Sequence, residues 1–137
     1  MTKLGFVPAL FVILALVVGA VACGTSSPSP TPSPEQTAVS DLLSEYQANE
    51  VAADAKYGGK IVRVTGVVDT IDKDIFGTPH VRLTTGSLFG PGVDCYFRNE
   101  AEPELAKLTK GQTATAEGKL LNRHLLGLSL EHCSLVQ

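Results

Sequence analysis

From Lys60 onward the chain is written in period two, and that alternation limits what it can become more than any other feature. Lys60 to Ile71, KIVRVTGVVDTI, sets Val62, Val64, Gly66 and Val68 against Arg63, Thr65 and Asp69, the pattern of a long half-buried strand. Gly66 inside it predicts a bend or bulge. Two shorter runs repeat the pattern at His80–Thr84 and Val93–Phe97, a fourth begins at Gly111 and passes through Ala114, Ala116, Gly118 and Leu120, and a fifth spans Gly127–Val136. The fifth run changes phase: Leu126, Leu128 and Leu130 are even, Cys133 and Leu135 odd. A bulge near Glu131-His132 is therefore expected.

Two segments break the period. Ser40 to Lys56, SDLLSEYQANEVAADAK, is rich in Ala, Leu and Glu and free of Gly and Pro. It predicts a helix with Ser40 as N-cap, a break at Asn49, Leu42, Leu43, Tyr46 and Ala53 on its apolar side, and Gly58-Gly59 as its stop. Asn99 to Leu108, NEAEPELAKL, predicts a short helix that tolerates Pro103 in its first turn and turns Leu105 and Leu108 inward. Three strands, a helix and two strands, preceded by an extra helix, is the order of an OB-fold. The expected class is all-β with accessory helices: a five-stranded Greek-key barrel with an N-terminal helix and a helix between strands three and four. At 137 residues there is room for one such domain and none for a multi-domain enzyme.

The first 36 residues obey other rules. Lys3 is followed by an uncharged apolar run from Leu4 and by the small residues Gly19-Ala20-Val21-Ala22, the layout of a signal peptide over residues 1–22. Cys23 follows at once. Ala20-Val21-Ala22-Cys23 resembles the lipobox of bacterial lipoproteins, in which the cysteine takes a diacylglycerol and becomes the new N-terminus. Plain secretion and an uncleaved anchor are the other two readings. Residues 23–36 continue as GTSSPSPTPSPEQ after the cysteine, with proline at 28, 30, 32 and 34 and no apolar side chain to bury. Such a run favours extended polyproline II and reads as a tether for a domain covering residues 37–137.

Without residues 1–22 the chain keeps 10 basic side chains against 14 acidic, the wrong sign for holding polyphosphate by net charge. With Cys23 lipidated, Cys95 and Cys133 remain in an oxidising compartment. They are expected to form one disulfide, worth about 4 kcal/mol in the chain-entropy picture. Two buried thiols, or a metal pair with His132, are the alternatives.

The run Tyr46-x-x-Asn49-Glu50-Val51-Ala52-Ala53-Asp54-x-x-Tyr57-x-x-Lys60, then Val64-Thr65-Gly66-x-Val68, Cys95, Gly111-Gln112, Gly118 and Cys133, resembles the bacterial OB-fold family called tRNA-anti-like. The resemblance spans Leu42 to Leu135. It implies the OB-fold and brings no catalytic residue, and many members resemble this chain in being exported or membrane-tethered.

OB-folds bind on the outer face of strands two and three and through the loops joining strands one to two and four to five. That face is expected to show His80, Arg82, Thr84, Asp94, Tyr96 and Arg98, with Arg63 nearby and Asn122-Arg123-His124-Leu125 as a flanking loop. Arg63, Arg82, Tyr96, Arg98, Arg123 and His124 are thus the candidate ligand-binding residues. An anionic envelope ligand or the acidic loop of a partner protein would suit the arginines, although a solvated strand face is the simpler reading. Nucleic acid is disfavoured because Tyr96 alone is placed to stack a base. Asp69, Asp72 and Asp74 share a turn but lack calcium-loop spacing, and read as solvated. Leu88-Phe89, between Gly86 and Gly90-Pro91-Gly92, are expected to cap the barrel end, with docking to a partner as the other reading. No nucleophile motif, phosphate loop or metal-ligand spacing is present, so no catalytic residue, metal or cofactor is expected. The expected protein is a non-catalytic binding module anchored by lipid to the outer side of a bacterial membrane, serving an unidentified envelope protein or polymer. An exported oligonucleotide-binding OB-fold is the alternative.

Overall fold

A computed structural model describes residues 33–124 and 127–137, the side chains of 122–126 excepted. The described residues begin with a short strand, β1 (Glu35–Ala38), and two helices, α1 (Val39–Ala48) and α2 (Glu50–Tyr57). The strands β2 (Ile61–Lys73), β3 (Pro79–Thr84) and β4 (Gly92–Phe97) follow; a 3-10 turn (Asn99–Ala101) and α3 (Glu102–Leu105) lead to β5 (Thr113–His124) and β6 (Gly127–Val136). Strand order is β1-β2-β3-β4-β6-β5, and β5 pairs again with β2, so β2 to β6 close into a five-stranded barrel. The expected OB-fold is observed.

Closure depends on the length of β2. Its first half, Ile61–Val67, pairs with β5, and its second half, Val67–Lys73, pairs with β3. At the junction a Cβ on Gly66 would lie 2.7 Å from Val39 Cγ2 and 3.0 Å from the Thr84 carbonyl oxygen. Gly66 is thus a point of close packing, and the register shift falls just beyond it, between Val68 and Thr70. In β6 the expected bulge is present: partners step from Leu130 to Cys133 against β4, and His132 has φ 53°. Leu128, Leu130 and Cys133 all reach the core as a result.

The inward positions of every barrel strand meet the helices in one core. Val62, Val64, Val68, Val81, Leu83, Val93, Leu120, Leu128 and Leu130 pack with Leu42, Leu43, Tyr46, Ala53 and Tyr57. The helix break falls at Asn49, whose side-chain oxygen accepts the Ala52 amide and caps α2. Tyr46 donates to Asp54 at 2.9 Å and Tyr57 donates to Glu45 at 2.9 Å, so each helix is bonded to the other through a tyrosine. Burial and the Asp54 carboxylate both push the Tyr46 phenol above its usual range. The Tyr46, Asn49, Asp54 and Tyr57 positions of the sequence motif are therefore a device for holding this helical pair.

Several expectations need correction. Glu35 to Ala38 is strand, pairing parallel with Val62–Thr65, although the composition predicts tether up to residue 36. An edge strand needs backbone partners more than apolar side chains, and β2 supplies them. Ala38 rather than Ser40 is the N-cap of α1, because β1 runs straight into the helix. The segment after β4 is helical for fewer residues than expected, though Leu105 is buried. Leu88 and Phe89 are 87% and 100% exposed, so they do not cap the barrel.

Candidate functional site

On the outer face of the barrel, register sets two cross-strand rows. Asp72 of β2 lies opposite His80 of β3, which lies opposite Tyr96 of β4. Thr70, Arg82, Asp94 and Ser129 form the neighbouring row. Alternation in β3 and β4 puts these side chains outside while Val81, Leu83, Val93 and Cys95 go inside.

The rows consume the functional groups they contain. Arg82 Nη1 donates to both carboxylate oxygens of Asp94 at 2.9 Å, with only 17% and 11% of the two side chains exposed. Arg63 is likewise committed, its Nη2 donating to Glu117 at 2.7 Å across the β2–β5 pair. His80 and Tyr96 stack with ring centroids 5.4 Å apart, and His80 Nδ1 is buried with no hydrogen-bond partner. Burial, reinforced by Asp94, raises the Tyr96 phenol. Thr84, expected on this face, is buried. The strand face is a cross-braced wall with little open cationic surface.

The open chemistry lies at one end of that wall. An open cleft of about 650 Å³ is lined by Asp74, Thr78, Tyr96, Arg98, Glu131 and His132, with Phe97, Asn99 and Glu100. Arg98 is exposed beyond the last residue of β4. His132 reaches the cleft because the bulge holds its backbone in the left-handed region, which re-aims the side chain relative to Leu130 and Cys133. Asp74, which also lines the cleft, accepts the Thr78 and Phe76 amides at 2.8 and 2.9 Å, and these bonds hold its carboxyl below the usual range. Ile75 and Phe76, at the tip of that turn, are 93% and 86% exposed. The cleft offers a cation, an imidazole and carboxylates at its walls and an apolar tip at its rim, a mixed lining suited to a polar ligand or a peptide loop.

Of the candidate residues, Tyr96 and Arg98 meet in this cleft, whereas Arg63 and Arg82 are spent in ion pairs. Arg123 and His124 stand in β5 rather than in a loop, and their side chains lie outside the described residues, as do Cys23 and residues 1–22. His132 and Asp74, which the sequence brings forward only as metal ligands, stand outside the expected ligand-binding set. The phase change in the last strand was the signal for His132; the turn-forming aspartate alone gave none for Asp74. Asp69 pairs with Lys110 and Asp72 binds the Lys73 amide, so the three carboxylates of that segment have separate partners. Among the described residues no cluster of three or more His, Cys, Asp or Glu is assembled for a metal ion.

Cys95 and Cys133 are buried, free thiols in this structure, and β4 lies beside β6 as expected. The neighbouring Cys133 thiol, together with burial, pushes the Cys95 thiol well above its usual range. A Cβ on Gly118 would come within 2.5 Å of Cys133 Sγ, so the glycine makes room for the sulfur.

A closed five-stranded barrel with its helix between the third and fourth barrel strands defines an OB-fold domain of the kind that binds other molecules through its face and loops. The tRNA_anti-like family model matches residues 1–124, and the chain belongs to that family. Among solved structures it is similar to a lipoprotein of Klebsiella pneumoniae described as a candidate for nucleic-acid binding, with TM-score 0.62 and 22% identity over 76% of this chain and 92% of that one. It is also similar to a candidate aspartyl-tRNA synthetase of Leishmania major, with TM-score 0.50 and 13% identity, over 82% of this chain and 22% of the synthetase. At such identities the likeness establishes the fold alone. No curated protein matches the chain.

Proposed function

We propose that this chain is a non-catalytic binding module of the bacterial cell envelope, exported by residues 1–22, lipidated at Cys23 and tethered by the proline-rich segment to the outer side of a membrane. The lipobox-like Ala20-Val21-Ala22-Cys23 and the tether composition support the anchoring. In that compartment the adjacent Cys95 and Cys133 close to a disulfide.

The observation that carries the choice of ligand class is the pairing of Arg63 with Glu117 and Arg82 with Asp94. Among the described residues the two arginines of the strand face, Arg63 and Arg82, are neutralised in place on a net acidic chain, which leaves that part of the face poorly suited to holding a phosphate backbone. Recognition is assigned instead to the cleft between Asp74 and His132, with Arg98 receiving a carboxylate or other anion of an envelope protein or polymer. A second reading, an exported oligonucleotide binder, draws on the His80–Tyr96 ring pair, which offers one stacking surface.

Anisotropy titration with labelled single-stranded DNA and RNA, at low and then physiological salt, separates the two. The first reading expects no binding even at low salt, together with a photo-cross-link from position 99 on intact cells that is lost on Arg98→Glu. Salt-sensitive binding abolished by Tyr96→Ala would establish the second. Intact mass of the membrane-extracted chain tests the lipid at Cys23. Thiol titration in denaturant without reductant tests the disulfide, with no reactive thiol expected from Cys95 and Cys133.

A further inference from the structure

Strand directions sort the exposed apolar residues of the barrel into two groups. β1 runs parallel to β2 and β4 parallel to β6, while the remaining pairs are antiparallel. The starts of β1, β2, β4 and β6 and the ends of β3 and β5 therefore share one end of the barrel. The Leu88-Phe89 loop, between β3 and β4, is at that end, and so are Lys60 and half-exposed Ile61 at the start of β2. The chain enters there too, because the residues outside the structure finish at 32 and β1 begins at Glu35. Ile75-Phe76 and the cleft lie at the opposite end, about 20 Å away along the six residues of β3.

The two apolar tips differ in their surroundings. Thr85 to Pro91, TGSLFGP, carries no charge, and its glycines leave Leu88 and Phe89 standing clear of the barrel. Around Ile75-Phe76 stand Asp72, Lys73 and Asp74, and Asp74 is held in its charged form by backbone amides. Charge at that tip opposes entry into hydrocarbon; the Leu88-Phe89 tip is itself uncharged, and the charges that share its end are engaged within the protein, Lys60 with the Ala55 and Lys56 carbonyls and Glu35 with Lys56, so the tip suits an apolar interface with lipid.

We infer that the Leu88-Phe89 end of the barrel docks on the lipid surface to which the chain is tethered, so that the cleft faces away from the membrane. The inference rests on the anchoring proposed above. Gly24 to Pro34 extends to at most about 34 Å at polyproline spacing, a reach that permits the barrel end to touch the bilayer but does not force it. Docking fixes the orientation that a flexible tether alone leaves free.

The chain has no tryptophan, which makes single-tryptophan variants clean reporters. Phe89→Trp and, at the other end, Phe76→Trp are to be purified from membranes as the full mature chain. Each is then reconstituted into phosphatidylcholine vesicles whose acyl chains carry bromine. Phe89→Trp is expected to be quenched by the brominated chains at least twofold more than Phe76→Trp, to emit further to the blue, and to resist aqueous iodide. Added Leu88→Ser is expected to weaken that quenching. Equal quenching of the two variants, or stronger quenching at position 76, on a chain that still floats with the vesicles overturns the docking and leaves the anchoring intact. A chain that does not float overturns both.

Discussion

The ion pair between Arg82 and Asp94 distinguishes a structural brace from a ligand contact. Removing one partner of a largely buried pair leaves an uncompensated charge and costs about 3–5 kcal/mol. Because the two side chains retain 17% and 11% of their surface, the lower end applies to Arg82→Ala, about 3 kcal/mol. For a domain of about 100 residues that corresponds to roughly 12–18 °C in Tm. Asp94→Ala should cost less, since the freed guanidinium has a flexible stem with which to reach water. Arg82→Met combined with Asp94→Leu removes both charges and keeps the volume, and should melt within about 5 °C of the parent. Both residues make further interactions, so the single variants also lose those, and the double variant is the sharper comparison. Thermal melts followed by circular dichroism, at one protein concentration and in reductant, provide the measurement. If Arg82→Ala melts with the parent while ligand or partner capture is lost, Arg82 is a binding residue and the cross-braced wall is wrong.

Two further perturbations test other parts of the fold. Gly118→Ala places a methyl group 2.5 Å from Cys133 Sγ and 3.0 Å from the Glu131 carbonyl oxygen. It should cost about 1–3 kcal/mol in a reduced urea titration, with part of the loss recovered on adding Cys133→Ala; a cost unchanged by removing the sulfur would refute the packing. Asp74 has its folded pKa below the ordinary carboxylate range, so its contribution to the β2–β3 turn is full above the unfolded value and is lost as pH falls through the lower folded one. The protection factors of the Phe76 and Thr78 amides, the ratio of intrinsic to observed exchange rate at each pH, should hold constant from neutrality to about pH 4 and fall below it. Protection that persists at strongly acid pH, or survives Asp74→Ala, would remove the carboxylate from the turn.

Much of the fold was legible because burial leaves a periodic trace. The valines of β2, the helix break at Asn49 and the phase slip at Glu131-His132 each correspond to an observed element: a strand, a cap and a bulge. The first strand left no such trace, since Glu35 to Ala38 joins the sheet by backbone hydrogen bonds that any sequence free of proline can offer. Leu88 and Phe89 were misjudged for a related reason: apolar character predicts burial only where some other element covers the position.

The candidate site was less legible. Sequence by itself determined the order of the five barrel strands and the helices, and most of the side chains that face into the barrel. All of these follow from neighbours along the chain. Only tertiary structure decided that Arg63 faces Glu117, that Arg82 faces Asp94 and that Tyr96 stacks on His80. It also decided that Arg98, His132 and Asp74 share one cleft. Such pairings depend on the register between strands distant in sequence, and one residue of slip or bulge changes which side chains meet.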